Sequence, residues 1–274
     1  MTQTIGDKKV FFHVGLGKVA STFLQYAVFP KFQGIQYIQR TRYKNAAHII
    51  NSSSNQTFLV SREMDHQLER ETKHFSQSFP DAFPIIILRR HDSWIASQYR
   101  RYVKNGGYRS FRQFFDTEAD EGLWKQSDLF YLPKLQVLQE CFSQPPLVLF
   151  YDDLQASPFS FIDKLANYVG ANYDKAEINT GTVHRSYSEK QLKVMRRLAS
   201  YFFQEPKGGS HHGVAHWIAR RSKMLACYSI LYPALLVPDK WLNTKSLISS
   251  EELEAVRKLY EQDWGSCKEF SKKQ

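Results

Sequence analysis

The chain has 274 residues, 42% of them hydrophobic and 15% aromatic, which suits one large domain or one domain with a helical appendage. Lys and Arg number 37 against 27 Asp and Glu, and the resulting net charge of +10 points to an anionic ligand or surface: phosphate, acidic glycan, nucleic acid or anionic lipid. Three distant cysteines, Cys141, Cys227 and Cys267, have no CxxC spacing, which argues against a disulfide framework or a zinc site and suits a reducing compartment.

The positive charges are scattered, with no run of five that would suggest a nucleic-acid tail. "MTQTIGDKKVFF" has no charged start followed by a long apolar core, so no signal peptide is expected. The longest mostly apolar segment, "MLACYSILYPALLVP" (224–238), is too short to span a bilayer and contains Pro233. The expected location is cytoplasmic.

Taken in chain order, "KVFFHV" (9–14) predicts a buried strand and "STFLQYAVF" (21–29) a helix stopped by Pro30. "TFLVS" (57–61) predicts a second strand and "PIIILR" (84–89) a third, with three consecutive isoleucines. "DSWIASQYRRYVKN" (92–105) predicts a helix with Asp92 as cap and Gly106-Gly107 at its end. A helix is expected over 127–142 despite Pro133, and a fourth strand over "PLVLFYDDL" (146–154). The helix over 157–170 has Ser157 as cap, Pro158 at its first position and Gly170 at its end. Amphipathic helices follow over 188–203 and 249–264, around a loop at 205–213. The segment 216–241 is basic at one end and then apolar, with tryptophan near both ends. Burial as a packed helix is the favoured expectation there, and contact with an anionic membrane surface is the alternative. Strands alternating with helices imply a parallel sheet covered on both faces. The expected class is α/β: a P-loop-type parallel sheet flanked by helices in 1–170 and a mostly helical part in 171–274, together one domain.

The stretch "VFFHVGLGKVASTFLQ" (10–25) leads a strand through glycines into a helix start, the physical solution for holding a phosphate. Gly15 and Gly17 let the backbone approach an anion, Lys18 can reach over it, and the Ser21 and Thr22 hydroxyls can donate to it. The ATP-type signature GxxxxGK[ST] requires glycine at 20 and lysine at 21, where the chain has Ala20 and Ser21. A phosphate is expected, but not the triphosphate of ATP.

"HVGLGKVASTFLQ" resembles the 5′-phosphosulfate loop of sulfotransferases that use 3′-phosphoadenosine 5′-phosphosulfate (PAPS). That loop usually reads P-K-[ST]-G-[ST]-[ST]. Lys18, Ser21 and Thr22 match it, whereas Gly17, Val19 and Ala20 depart from it. "IIILRRHDSWIASQYRRYVKNGG" resembles the same family's 3′-phosphate motif, an arginine at a strand end and a serine eight residues on: Arg89 and Ser97. "VLFYDDLQASPFSFIDKLANYVG" is similar to a further, mainly structural stretch. The resemblance covers about the first 170 residues. It implies PAPS as donor, PAP as product and no required metal. It also implies cofactor contacts from Gly15, Gly17, Lys18, Ala20, Ser21, Thr22, Arg89 and Ser97, with Lys207 in a basic loop near the 3′-phosphate.

Lys18 is the candidate for stabilising the leaving 5′-phosphate, and Glu63, just past the second strand, for the general base. Asp65 and His66 are its rivals, and an ion pair from Glu63 to an arginine such as Arg62 is the structural alternative. His13 is expected to be structural. His211 and His212 lack a third metal ligand. The acceptor is expected to be a hydroxyl on a carbohydrate or glycolipid. A nucleotide or small-molecule kinase, or a silent PAP- or polyanion-binding module, is the competing function, and a nucleic-acid partner is not expected.

Overall fold

The computed structural model describes residues 8–181, 187–203, 214–242 and 244–273, except for the side chains of 214–216 and 220. By contact density the chain divides into two compact units. Met1–Arg90, Phe130–Val183 and Tyr260–Gln274 form the first, and His91–Leu129 with His184–Leu259 the second.

The first unit is built on five strands: β1 (Lys9–Gly15), β2 (Gln36–Ile38), β3 (Thr57–Glu63), β4 (Phe83–Leu88) and β5 (Leu147–Phe150). Their order is β2-β3-β1-β4-β5, and every pairing is parallel. Successive side chains of a strand point to opposite faces, and β1 shows the consequence. The Phe12 ring stacks on Phe75 of the Leu68–Ser78 helix with centroids 3.9 Å apart. The neighbouring Phe11 meets Tyr168 of the Pro158–Val169 helix edge-on at 5.5 Å. Both faces are therefore covered by helices, so the strands can be apolar throughout, and Ile85, Ile86 and Ile87 are fully buried.

The sheet thus has the expected α/β form, with differences in detail. β2 follows no apolar run and went unpredicted: it is a three-residue strand pairing only with β3. The run at 146–154 is a strand only to Phe150. Tyr151–Ala156 is helical instead, with Asp152 and Asp153 in the first turn, where carboxylates suit the helix dipole better than a strand. The helix at Ser21 does not stop at Pro30. Its α turn (Ser21–Phe23) runs into a π segment (Leu24–Val28) and then a 3₁₀ turn (Phe29–Lys31). Pro30 sits in the first turn of that last segment, where a missing N–H costs little. The stretch 127–142 is two helices, Gln126–Leu129 and Leu132–Cys141, with Pro133 in the first turn of the second. The start of that second helix is capped from elsewhere: the buried Asp263 carboxylate accepts the N–H groups of Tyr131 (2.9 Å) and Leu132 (3.1 Å). Gly170 closes the Pro158–Val169 helix in the left-handed conformation, φ +71°.

The second unit is helical. Its long elements are His91–Lys104, Glu189–Phe202, Val214–Leu231 and Ser250–Leu259. Ser188 and Gln191 form a capping box at the start of the second of these. Asp92 lies inside the first turn of His91–Lys104. Its buried carboxylate receives Nε (3.2 Å) and Nη2 (2.9 Å) of Arg257, which ties that helix to Ser250–Leu259. The helix expected over 249–264 breaks at Tyr260, and Glu261–Lys272 is a separate helix belonging to the first unit. The favoured burial of 216–241 is corrected: Trp217, Ile218, Leu225, Tyr232, Leu235, Leu236 and Trp241 are all exposed. The loop at 205–213, with Lys207, His211 and His212, lies outside the described residues. Cys141, Cys227 and Cys267 carry free thiols, and no described helix is long and apolar enough to cross a membrane.

Candidate active site

Strand order decides where a ligand can sit. From β1 the chain builds β2 and β3 on one side, then crosses to build β4 and β5 on the other. The point where an open α/β sheet reverses direction leaves a crevice at the strands' carboxyl ends. Here that point is the end of β1, between β3 and β4. In register, Gly15 at the end of β1 pairs with Glu63 at the end of β3 and with Ile87 near the end of β4. Lys18, Glu63 and Arg89 therefore leave three adjacent strands at the same edge.

The turn 16–20 is held in an unusual backbone shape. Lys18 (φ +67°) and Ala20 (φ +63°) are both left-handed, a conformation that costs a non-glycine residue about 1–2 kcal/mol. Three side chains hold the turn. Arg89 Nη1 donates to the Lys18 carbonyl at 3.0 Å. Ser21 Oγ donates to the Leu16 carbonyl at 2.8 Å. Asp65 Oδ1 accepts the Gly17 N–H at 2.8 Å. A Cβ at Gly17 would sit 3.1 Å from Asp65 Oδ2, so glycine lets the carboxylate approach the loop closely. Arg89 is itself positioned: its guanidinium lies 4.5 Å from the Tyr151 ring centroid, and the buried Tyr131 hydroxyl donates to its carbonyl at 2.8 Å.

Each expected residue can now be placed. Arg89 reaches the turn through the Lys18 carbonyl, and Lys18 itself is half-buried. Ser21 lends its hydroxyl proton to the loop, so its contribution to an anion comes from its backbone N–H at the helix start, where N–H groups have no partner within the helix. Thr22 is half-buried beside it, and the Val19 side chain is in the core. Arg40 Nη1 lies 3.9 Å from the Glu63 carboxylate, and Arg62 donates to Glu71 at 3.0 Å. Asp65 is taken up by the loop as described, and His66 is exposed. Ser97 is half-buried in the His91–Lys104 helix of the second unit. Lys207 lies outside the described residues. Sequence reasoning did not find Arg40, Tyr131 or Tyr151 as neighbours of the site. Their contacts join residues far apart in the chain, and only "YDDL" gave a signal, one that pointed to structure.

His13 is fully buried under the turn. Its Nδ1 lies 2.8 Å from Ser61 Oγ, which also accepts the Gln25 amide at 2.9 Å, and its Nε2 has no hydrogen-bond partner. It packs edge-on against Phe29. Burial pushes its pKa down to about 4, which gives the imidazole the structural role expected from the sequence.

The second unit contains a cleft of about 850 Å³. Lys193, Arg196, Arg197 and Lys245 line it together with five serines, and Tyr108 and Tyr201 add ring surface. Arg196 is held by a 3.2 Å hydrogen bond to the Tyr99 hydroxyl. Among the described residues, no three His, Cys, Asp or Glu side chains are grouped as metal ligands would be.

Among solved structures, the chain is similar to a sulfotransferase from Alicyclobacillus acidocaldarius. The two are 12% identical, the TM-score is 0.48, and the match covers 85% of this chain and 98% of the other. No protein-family model matches the chain, and no curated protein matches it.

The turn makes two predictions. Ala20→Gly should raise stability by about 1 kcal/mol by relieving the left-handed alanine, and Ala20→Val should lower it; urea unfolding measures both. A loss of stability in the glycine variant would contradict the backbone described. His13 makes the second. An unfolded imidazole titrates near 6.5, so burying it neutral stabilises the fold fully above that pH. That contribution is lost as pH falls from 6.5 to 4, by about 3 kcal/mol. The same unfolding measured against pH should show a drop in the parent that is absent in His13→Gln.

Proposed function

We propose that the chain is a PAPS-dependent sulfotransferase acting on a hydroxyl of a carbohydrate or glycolipid. One observation carries this: at the switch point of a parallel sheet, where the turn after β1 enters a helix, the Arg89 guanidinium donates to the Lys18 carbonyl and so lies against the turn that carries Lys18. Two cations, the partnerless N–H groups of the first turn and the Thr22 hydroxyl suit a dianionic phosphate.

When bound, PAPS supplies the activated sulfuryl group and PAP departs. In this reading Lys18 offsets the negative charge that grows on the leaving oxygen. Glu63, on the neighbouring strand end, accepts the acceptor's proton at a carboxylate oxygen, and Arg40 Nη1 lies 3.9 Å from that carboxylate. Arg89 and Ser97 bind the 3′-phosphate, and Lys207 adds positive charge near it. The protein's work is positioning and charge stabilisation, as in phosphoryl transfer.

Calorimetric titration with PAP, ADP and ATP tests the donor. PAP should bind well without magnesium, and ADP at least tenfold more weakly. Tighter binding of ATP, with or without magnesium, would favour the kinase reading. Arg89→Ala separates two roles for Arg89. If Arg89 reads the 3′-phosphate, PAP affinity falls about tenfold or more while ADP affinity holds. If it only braces the loop, both fall together. Glu63→Gln should keep PAP affinity and lose about 10²- to 10⁴-fold in turnover with labelled PAPS and an accepted acceptor. Unchanged turnover would remove Glu63 as base.

A further inference from the structure

The second unit exposes a concentration of large apolar side chains that its own core does not explain. On the Val214–Leu231 helix, Cys227 and Leu231 face inward and are buried. Ile218 and Leu225, seven residues apart and so on one stripe, face outward, and Tyr232 continues the stripe one heptad later. Trp217 and Leu225 are 62% and 65% exposed. The 3₁₀ turns that follow add Leu235, Leu236 at 86% and Trp241 at 65% exposure. The end of the Glu189–Phe202 helix, which packs on both the Val214–Leu231 helix and the Pro233–Leu236 turn, adds Tyr201 and Phe202. Most of the exposed large hydrophobic residues of the described chain are in this region. Scattered exposed apolar residues need no explanation, but a contiguous group of this kind marks a contact surface.

Charge identifies the occupant. Residues 214–241 contain Arg220, Arg221, Lys223 and Lys240 against one acid, Asp239, whose carboxylate lies 3.1 Å from Lys190. Arg221 lies over the exposed Trp217 ring at 5.9 Å, so a cation sits within the apolar stripe rather than across from it. A second copy docking through this face would set cations against cations. A bilayer with anionic headgroups supplies both an apolar phase and the opposite charge, and Trp and Tyr rings suit its boundary. We infer that the Val214–Leu231 helix and the turns through Trp241 lie on the surface of an anionic membrane, with Trp217, Ile218, Leu225, Leu236 and Trp241 entering the headgroup boundary. This surface does not depend on the transferase reading, and its test uses no donor or acceptor.

The full-length protein is sedimented with vesicles of phosphatidylcholine alone and of phosphatidylcholine mixed with phosphatidylglycerol, while tryptophan emission is followed. The protein should pellet with the anionic vesicles, its emission should shift to the blue, and added salt should weaken the binding. Leu225→Glu with Leu236→Glu should reduce binding at least tenfold, and Arg221→Ala about fivefold. Both leucines are exposed, so these variants should fold, and circular dichroism checks this. Arg221→Ala tests the face even if the double variant fails to fold. Failure of the folded parent to bind anionic vesicles overturns the inference, as does equal binding to both vesicle types. Self-association in solution that the leucine variants abolish would also overturn it, because a second copy would then cover the face.

Discussion

A left-handed turn of non-glycine residues after β1 is the constraint on which the candidate site depends. Lys18 and Ala20 adopt a backbone that alanine and lysine resist. Such a turn persists only where surrounding contacts over-determine it. Arg89, Ser21 and Asp65 do that from the end of β4, from the helix and from the segment after β3. The turn therefore reports on the whole strand edge. Loosening any brace would shift Lys18 relative to Glu63, although the two side chains belong to different strands.

The parallel sheet makes this arrangement possible. A parallel strand must return through a crossover, so every carboxyl end falls on the same side and every loop that follows it starts there. β1 lies in the middle with β3 and β4 as neighbours. A residue just past any of these three ends is within reach of the other two. Lys18, Glu63 and Arg89 occupy those positions, which is why residues as far apart as 18 and 89 share one hydrogen bond. The fully buried β1 and β4 also give the turn a rigid base.

The parts of the fold visible in the sequence were those set by local chemistry. Three consecutive isoleucines mark a strand buried on both faces, and Ser188 and Gln191 mark a helix start; both stand where expected. Lys18 and Arg89 were found because each sits beside a strand end that periodicity reveals. What stayed hidden was set by partners distant in the chain. β2 has no apolar run of its own and exists because β3 offers an edge. Asp263 caps a helix 131 positions away in sequence, and Arg40 reaches the carboxylate of Glu63, 23 positions further on. The break at Tyr260 was hidden for a different reason. The helical pattern continues through it, but the residues on either side pack into different units.

The three departures from the PAPS-loop pattern carry different physical weight. Proline is usual at position 17 and has no N–H. Gly17 supplies one, and Asp65 accepts it at 2.8 Å while occupying space that a proline ring would take. Position 17 is thus braced by a carboxylate that accepts its N–H. Position 19 is different in kind. Val19 is fully buried, so its methyl groups serve the core and a hydroxyl donor is forgone in exchange. Position 20 has no compensation in the structure, because Ala20 keeps the left-handed φ that glycine would adopt without strain. A chain that had merely lost the motif would have relaxed this residue into an ordinary helix start. The strained alanine therefore depends on the contacts that hold the rest of the turn.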